Sequence, residues 1–433
     1  MNDLERLVIE GGRRLAGSLR VHGSKNAALP ILAAVTMADE EILIRDVPNL
    51  EDIHVMLDIL RSVGAKVRYF DHQAFIDPTS IDTTVIPDHL MSQMRSSIFL
   101  MGPLLARFGA VRISKPGGCS IGSRPIDFHL KGLEQLGAEI IDRHGYIECR
   151  ANRLQGGTIF LDFPSVGATE NLMMAACLAE GETVIGNAAR EPEIRDLAAF
   201  LTALGARISG AGDDTIVIEG VRRLHGGQYD VPPDRIVTGT LLIAGAVTGG
   251  NVVLTNVRPS DSTAVIMKLR EAGVQISATR DILEVRESDG LRAIDRVQTA
   301  PFPGFPTDLQ APLMALLAKA KGTSIVSETV FEDRFRHVPE LLRMGAAIKV
   351  DLRTAFVRGV RELTGAFVSA TDLRAGAALV VAGLAANGST VIDRVFHIDR
   401  GYESIELQLR ALGADIVRIR EPDRRAQGLT AHA

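Results

Sequence analysis

One pattern of apolar and polar positions recurs six times along the chain. In each copy a helical stretch passes through a leucine to a glycine, and a short β-branched strand follows, as in Leu60-Arg-Ser-Val-Gly64-Ala-Lys-Val. Glycine suits the position after a helix because the left-handed conformation there carries no Cβ penalty. Intervals of 73, 68, 68, 72 and 68 positions separate the six marker glycines, Gly64, Gly137, Gly205, Gly273, Gly345 and Gly413. This spacing predicts six copies of one mixed α/β unit of about 70 residues.

Each copy also contains a helix that is apolar nearly all round. These helices are rich in Ala and Gly, carry few charges, and are predicted at 27–34, 96–106, 171–179, 239–247, 310–318 and 376–385. A helix without a polar face is typical of one that is buried on all sides. The pattern therefore predicts an α/β fold with the apolar helices inside and the sheets outside.

Six units divide most simply into two domains of three. The proline-containing segment Asp-Val-Pro-Pro-Asp at 230–234 lies at a mid-chain copy boundary and predicts a hinge. The strands within residues 1–22 look like the piece that would complete the second domain. The sequence therefore predicts one domain over 23–232 and another made of 1–22 and 233–433, joined by two chain crossings. The tail after about residue 420 is predicted to be disordered.

Composition and charge narrow the function classes. The chain has 433 residues and a formal charge of −5, which argues against a general role on nucleic acid or a membrane surface. Its three cysteines are an odd number at irregular spacing, so they predict no disulfide framework and fit a reducing compartment. No signal-peptide pattern opens the chain, and no apolar run reaches the ~18 residues of a membrane span. The expected location is the cytoplasm, with no membrane insertion.

Metal and nucleotide motifs are missing from the sequence. It contains no His-Glu-x-x-His or Cys-x-x-Cys pattern and no Gly-Lys-Ser/Thr phosphate loop. We therefore expect no metal and no cofactor.

The loop at residues 115–127, here called the cysteine loop, is the most distinctive segment. It reads Lys115-Pro-Gly-Gly-Cys119-Ser-Ile-Gly-Ser-Arg124-Pro, and it makes the second copy longer than the third and fourth. Glycines allow a backbone to approach a ligand closely, and nearby cations lower the pKa of a thiol from its usual value of about 8.5. Cys119 is thus the candidate reactive group. Cys149 and Cys177 lie in a strand and an apolar helix, where buried packing is expected.

The apolar helices begin with unusual numbers of charged residues. These are Lys25 beside Asn26, Arg95, Arg235, Asp308, and Asp372 with Arg374; nearby loops add Glu191, Glu193, Glu332, Arg334, His397, Asp399 and Arg400. Any one of them alone would read as a solvated helix end with an ordinary salt bridge. Together they favour a cleft, because helix N-termini and adjacent cations form anion sites. Such a cleft suits a small substrate that bears phosphate and carboxylate groups.

Several longer motifs resemble one enzyme family. They include Gly-Ser-Lys25-Asn26-Ala-Ala-Leu-Pro, Pro-Gly-Gly-Cys119-Ser-Ile-Gly-Ser-Arg124-Pro, Phe-Pro-Thr-Asp308 and His397-Ile-Asp-Arg400-Gly-Tyr-Glu. From about residue 7 to 418 the chain resembles the UDP-N-acetylglucosamine 1-carboxyvinyltransferases, which are enolpyruvyl transferases. The resemblance implies the EPSP synthase-like inside-out α/β barrel of two domains with three repeats each. It also implies transfer of the enolpyruvyl group of phosphoenolpyruvate to the 3′-hydroxyl of UDP-N-acetylglucosamine, the first committed step of peptidoglycan biosynthesis.

The same resemblance implies roles for individual residues. Cys119 would protonate the methylene carbon of phosphoenolpyruvate, form a covalent adduct and be the residue that fosfomycin alkylates, while Asp308 would be the base. Lys25, Arg124 and Arg400 would hold the phosphate and carboxylate, supported by Arg95 and Arg374. The nucleotide sugar would contact Asn26, Arg124, Pro125, Ile126, Asp127, Phe128, His129, Ser165, Val166, Gly167 and Val330. Glu332, Arg334 and Asp372 complete the expected substrate-binding set.

At two positions the sequence departs from the pattern of this family, and two alternative functions are also considered. Some relatives carry a lysine where Phe163 stands, near the diphosphate, and many carry a glutamate where Val237 stands. The sister enzyme 5-enolpyruvylshikimate-3-phosphate synthase shares the fold and the donor, but it lacks this cysteine loop. A non-catalytic protein that binds UDP-sugars is the other alternative, although Cys119, Asp308 and Lys25 are all present.

Overall fold

A computed structural model describes residues 5–115, 126–287 and 290–420. Cys119, Arg124 and Pro125 of the cysteine loop fall outside the described residues, as does the tail whose disorder the sequence predicts.

The described helices alternate between apolar and amphipathic ones along the chain. The α-helices are α1 (Lys25–Ala34), α2 (Glu51–Ser62), α3 (Asp88–Met91), α4 (Met101–Phe108), α5 (Asp127–Gln135), α6 (Val166–Cys177), α7 (Pro192–Ala203), α8 (Arg235–Val247), α9 (Thr263–Glu271), α10 (Gln310–Leu317), α11 (Val338–Arg343), α12 (Leu373–Ala385), α13 (Phe396–Asp399) and α14 (Ile405–Ala411). Short 3₁₀ helices span Val35–Met37, Pro78–Ser80, Arg95–Leu100, Pro259–Ser262 and Thr307–Leu309. All six predicted apolar helices are present, as α1, α4 with the 3₁₀ turn before it, α6, α8, α10 and α12; they are called the inner helices below.

The strands are short. They are β1 (Glu5–Glu10), β2 (Ala16–Arg20), β3 (Ile42–Arg45), β4 (Lys66–Phe70), β5 (Gln73–Asp77), β6 (Ala110–Ser114), β7 (Glu139–Asp142), β8 (Tyr146–Arg150), β9 (Thr158–Phe160), β10 (Glu182–Gly186), β11 (Arg207–Ser209), β12 (Thr215–Glu219), β13 (Gly227–Asp230), β14 (Asn251–Thr255), β15 (Gln275–Ala278), β16 (Ile282–Arg286), β17 (Arg296–Gln298), β18 (Thr323–Ser327), β19 (Ala347–Asp351), β20 (Thr354–Arg358), β21 (Leu363–Thr364), β22 (Phe367–Ser369), β23 (Ala386–Asn387), β24 (Ser389–Asp393) and β25 (Asp415–Arg420).

Of the seven sheets in the described residues, six follow one topology and the seventh is the two-stranded pair β21-β23. Five have four strands, in the orders β13-β3-β5-β4, β11-β12-β10-β9, β15-β16-β14-β2, β17-β18-β20-β19 and β22-β24-β1-β25. In each of the five, one edge pair is parallel and the other pairs are antiparallel. The sheet of the second copy, β6-β8-β7, has three strands, and a single parallel bridge from Val85 to Arg112 replaces the fourth. The predicted repeat of mixed α/β units is therefore confirmed.

The six marker glycines end six amphipathic helices in one way. Each glycine has a positive φ, between 85° and 102°. After α2, the Gly64 amide donates to the carbonyl of Arg61 and the Ala65 amide donates to that of Leu60, which is the Schellman pattern. The same pair of bonds closes α5, α7, α9, α11 and α14. The leucine-to-glycine step is thus a helix stop followed at once by a strand.

Two hydrophobic cores lie beneath the sheets. One, called the first lobe, contains buried residues from Ala27 to Val231; the other, the second lobe, contains those from Leu7 to Val21 and from Ile236 to Ile416. Inner helices α4 and α6 pack together in the first lobe, and α8, α10 and α12 pack together in the second. The strands bury alternate side chains against these helices, as in β12, where Ile216 and Ile218 point inward. Helices inside and sheets outside is the arrangement that the sequence predicts.

The chain passes between the lobes at two adjacent segments. The amide of Ser24 donates to the carbonyl of Pro232 at 2.7 Å, and that of Asp234 donates to the carbonyl of His22 at 3.0 Å. β2 adds to the second-lobe strand β14, whereas β13 adds to the first-lobe strand β3. These pairings support the proposed division at residues 22/23 and 232/233, which stays a prediction.

Three turns bring the backbone against an inner helix end. A Cβ at Gly220 would lie 1.7 Å from the carbonyl oxygen of Ala179, and one at Gly359 or Gly11 would be equally obstructed by backbone oxygen. We therefore expect Gly220→Ala to lower the free energy of unfolding by about 1–3 kcal/mol, because backbone atoms must move. Urea unfolding followed by circular dichroism measures this.

Gly227→Ala is the matched control for this substitution. It lies seven residues further along in the same connection, and the nearest atom to its Cβ would be a leucine methyl group at 3.5 Å. Equal unfolding midpoints for the two variants would contradict the assignment of Gly220 to a close backbone contact.

Candidate active site

The inner helices begin at the cleft between the lobes, and side chains cap four of them. Ser24, Ser165, Asp234 and Asp372 each accept a hydrogen bond from a first-turn amide of α1, α6, α8 and α12, respectively. Capping satisfies amides that have no partner inside the helix. It also fixes the residues next to each cap, which include Lys25, Arg235 and Arg374.

One buried ion triad joins the two lobes. Asp52, in the first turn of α2, accepts from Lys25 Nζ at 3.0 Å through Oδ2 and from Arg400 Nε at 2.9 Å through Oδ1. Lys25 is 8% exposed and Asp52 is 4% exposed. Lys25 and Asp52 belong to the first lobe and Arg400 to the second, so the triad spans the cleft.

A second ion cluster surrounds Asp308. Arg334 Nη2 donates to Oδ1 of Asp308 at 2.6 Å, and Arg374 Nη2 donates to Oδ2 at 2.8 Å. Both arginines are buried. Two guanidinium groups, Arg334 from a loop and Arg374 from the first turn of α12, therefore fix the orientation of one carboxylate, as charge-assisted hydrogen bonds do.

Further contacts connect the clusters across the cleft. Arg235, at the start of α8, makes a two-pronged pair with Glu193 at 3.0 and 3.2 Å, and Glu191 Oε1 accepts from the amide of Phe302 at 3.1 Å. Each contact links a first-lobe carboxylate to the second lobe. The structure thus brings Lys25, Arg235, Asp308, Arg334, Arg374 and Arg400 to one cleft.

At the triad, burial and the pairing of opposite charges shift the pKa values of Lys25 and Asp52 in opposite directions. Burial lowers the pKa of Lys25, Asp52 opposes this, and the positive charges of Arg374 and Arg400 lower the pKa further. Burial favours the neutral form of Asp52, but Lys25 and Arg400 hold its pKa below the ordinary value. The carboxylate is therefore the group that favours the charged form of this lysine.

Two predicted segments for the nucleotide sugar meet in the first lobe. Ile126, Asp127 and Phe128 lie where α5 begins, and Ser165 to Gly167 lie where α6 begins. A Cβ at Gly167 would lie 3.4 Å from the imidazole of His129, so the two segments are adjacent.

His129 itself is buried in this region. Its Nδ1 lies 3.0 Å from the side-chain nitrogen of Asn171, and burial, with a smaller effect of Arg95, lowers its pKa to about 4. The ring is therefore neutral near pH 7. Asn26 lies in α1 of the same lobe, directly after the buried Lys25. Arg95 is the first residue of the 3₁₀ helix Arg95–Leu100, also in this lobe.

The remaining predicted residues differ in their surroundings. The amide of Val330 donates to Glu328, whose buried carboxylate also accepts from Phe331, Thr299 and Thr307. The side chain of Glu332 is 56% exposed and pairs with Arg353, outside the Asp308 cluster. Asp372 caps α12. Phe163 is partly exposed beside the 165–167 segment.

Sequence reasoning missed Asp52, Glu328 and Asn171. Asp52 lies in an ordinary amphipathic helix, α2, where an acidic residue in the first turn is expected from the helix dipole alone. Only the folded chain brings it to Lys25 and Arg400. Cys149 and Cys177 are buried as predicted, and burial raises the pKa of each thiol to about 12.

The described residues contain neither a metal-binding cluster nor a membrane-spanning helix. Over residues 5–115, 126–287 and 290–420, no cluster of three or more His, Cys, Asp or Glu side chains is arranged to hold a metal ion. Within those same stretches, no helix has the length and apolar character needed to cross a bilayer.

Known proteins resemble the chain over nearly its whole length. The family model for EPSP synthase (3-phosphoshikimate 1-carboxyvinyltransferase) matches residues 9–409. UDP-N-acetylglucosamine 1-carboxyvinyltransferase 2 of Carboxydothermus hydrogenoformans is 53% identical over 418 residues, which are 96% of this chain and 100% of that protein. UDP-N-acetylglucosamine 1-carboxyvinyltransferase 1 of Caldanaerobacter subterraneus subsp. tengcongensis is 52% identical over 413 residues, covering 95% and 99%.

Solved structures agree with this relationship. The enolpyruvyl transferase NikO from Streptomyces tendae superposes with a TM-score of 0.86 at 27% identity, covering 96% of this chain and 99% of that one. EPSP synthase from Acinetobacter baumannii gives 0.76 at 19% identity, covering 96% and 100%, which establishes the fold alone. The predicted inside-out α/β fold is therefore confirmed. The chain belongs to the EPSP synthase family of enolpyruvyl transferases, among the UDP-N-acetylglucosamine 1-carboxyvinyltransferases.

Proposed function

We propose that this protein transfers the enolpyruvyl group of phosphoenolpyruvate to the 3′-hydroxyl of UDP-N-acetylglucosamine and releases phosphate. This is the first committed step of peptidoglycan biosynthesis, and we expect it to occur in the cytoplasm. The observation that carries the proposal is the meeting of Lys25 of the first lobe with Arg374 and Arg400 of the second, where Asp52 binds Lys25 and Arg400 and Asp308 binds Arg374. The names of relatives that are 52–53% identical support the choice of acceptor.

The positive charges of the cleft suit phosphoenolpyruvate, the donor of the enolpyruvyl group. Phosphoenolpyruvate carries its phosphate and its carboxylate on the same central carbon, and closely spaced cations bind such groups through charge-assisted hydrogen bonds. Lys25 and Arg400 lie on one carboxylate, that of Asp52, so their charged groups are already close together. Arg124 would add a third cation from the cysteine loop.

The chemistry would proceed by addition and elimination. In the first step Asp308 takes the proton of the 3′-hydroxyl, the 3′-oxygen bonds to the central carbon of phosphoenolpyruvate, and Cys119 protonates the methylene carbon. In the second step the bond from the central carbon to the phosphate oxygen breaks and the departing phosphate takes up the proton held by Asp308. A proton of the new methyl group returns to the Cys119 thiolate as the double bond re-forms. The transition state of addition has oxocarbenium character, which a nearby carboxylate stabilises while cations stabilise the departing phosphate.

The first prediction concerns the reaction itself. Phosphate release from phosphoenolpyruvate should require UDP-N-acetylglucosamine, and Cys119→Ser should lower kcat by about 10²- to 10⁴-fold because a general acid is lost. A phosphate-release assay with each acceptor measures this. Cys177→Ser is the control, because this thiol is buried and should leave kcat nearly unchanged.

Two results would overturn this assignment. Release with shikimate 3-phosphate in place of the nucleotide sugar would move the protein to the sister activity. No release with either acceptor, from a folded protein that binds the nucleotide sugar, would indicate a binding protein.

The second prediction tests Asp308 as the base. Asp308→Asn should lower kcat by about 10²- to 10⁴-fold, because the amide cannot take the hydroxyl proton. Asp333→Asn is the matched control, since Asp333 pairs with Arg336 at the surface. Thermal unfolding of both variants shows whether the loss at Asp308 reflects chemistry or the loss of the carboxylate that pairs with two buried arginines. Normal turnover in folded Asp308→Asn would exclude this residue as the base.

A further inference from the structure

Within the part of the chain that the structure describes, Asp52 contacts Lys25 and Arg400, two of the cations proposed to bind phosphoenolpyruvate. Each of its oxygens accepts from a different partner, Lys25 at 3.0 Å and Arg400 at 2.9 Å. Asp52 itself is not exposed to the cleft, being 4% accessible. Its place behind the two cations suits support of their positions and not direct contact with a substrate.

We infer that Asp52 is a positioning residue for phosphoenolpyruvate binding, which keeps Lys25 charged and holds Arg400 of the second lobe beside it. The inference rests on the proposed function and deepens it. It assigns a role to a residue that neither the motifs nor the spacing of the sequence indicated.

The surroundings of Lys25 show why a carboxylate is needed there. The lysine opens α1 and faces Asp52 on α2, Arg374 on α12 and Arg400 after α13, and its backbone amide donates to Asp234 at 3.3 Å. Two of the three charged side chains that act on it are therefore positive. Burial and these two arginines favour the neutral amine, and Asp52 opposes them.

Asp52 also restricts the conformation of the Arg400 side chain. Its side chain is 39% exposed and comes from a short segment after the four-residue helix α13. A long side chain in such a place has many conformations, and fixing it costs entropy. The bond to Asp52 selects one of them before the substrate arrives, which reduces the cost of binding.

The proposal is tested by the pH dependence of the KM for phosphoenolpyruvate. In Asp52→Asn the pKa of Lys25 should fall, so the lysine loses its proton at a lower pH than in the native protein. We expect the KM to rise about 10- to 100-fold at alkaline pH and to fall as the pH is lowered and Lys25 regains its proton, down to the smaller increase that loss of the Arg400 bond causes at every pH. The kcat at saturating substrate should change less than the KM, because the negative charges of bound phosphoenolpyruvate favour the protonated form of Lys25 once the site is occupied.

Two further variants separate this role from a structural one. Asp52→Glu keeps the charge and should restore most of the affinity at high pH. Asp261→Asn removes a buried carboxylate that also bridges the lobes, through Arg195 at 2.6 Å, but lies away from these cations. It should leave the pH profile of the KM unchanged.

The outcomes are distinct from those for the proposed function. If the native protein releases phosphate as proposed and Asp52→Asn shows the native pH profile, the inference fails and the function stands. A lower KM in Asp52→Asn would also overturn it, because the carboxylate would then compete with the substrate for the cations. If the native protein lacks the activity, the proposed function fails first.

Discussion

The arrangement of this cleft depends on one constraint, which is that the charged side chains buried between the two lobes must be paired. An unpaired buried cation loses its hydration, and the cost is several kcal/mol even after relaxation. The structure meets that cost with three carboxylates: Asp52 pairs Lys25 and Arg400, Asp308 pairs Arg334 and Arg374, and Glu193 pairs Arg235. Two of these clusters join residues of different lobes, so the electrostatics of the site also determine how the lobes meet.

The repeated unit explains why so many charges can reach one place. The inner helices are largely buried, and Ser or Asp side chains cap the first amides of four of them. A residue next to such a cap has a fixed backbone and a short path to the cleft. Four of the six copies offer such a position, and the capped starts of α1, α8 and α12 carry Lys25, Arg235 and Arg374.

The same geometry separates the tasks of the two lobes. The first lobe contributes the 126–129 and 165–167 segments, which lie together around the buried His129, whereas the second contributes Asp308 and most of the arginines. A structure only 19% identical still superposes with a TM-score of 0.76. This tolerance of sequence change is expected, because the fold requires glycines at helix ends, apolar helices and short strands. The residues at the helix starts can vary.

The sequence by itself determined the repeat, because helix stops and apolar helices are local features. The six marker glycines, the six inner helices and the sheets outside them follow from short-range patterns, and the motifs around Lys25, Asp308 and Arg400 identified the family. Other features depended on contacts between distant residues. The burial of His129 against Asn171 and the exposure of Glu332 belong to this group. So does the triad at Asp52, since residue 52 meets residue 400 only when both lobes have folded and no local pattern records a partner 348 positions away.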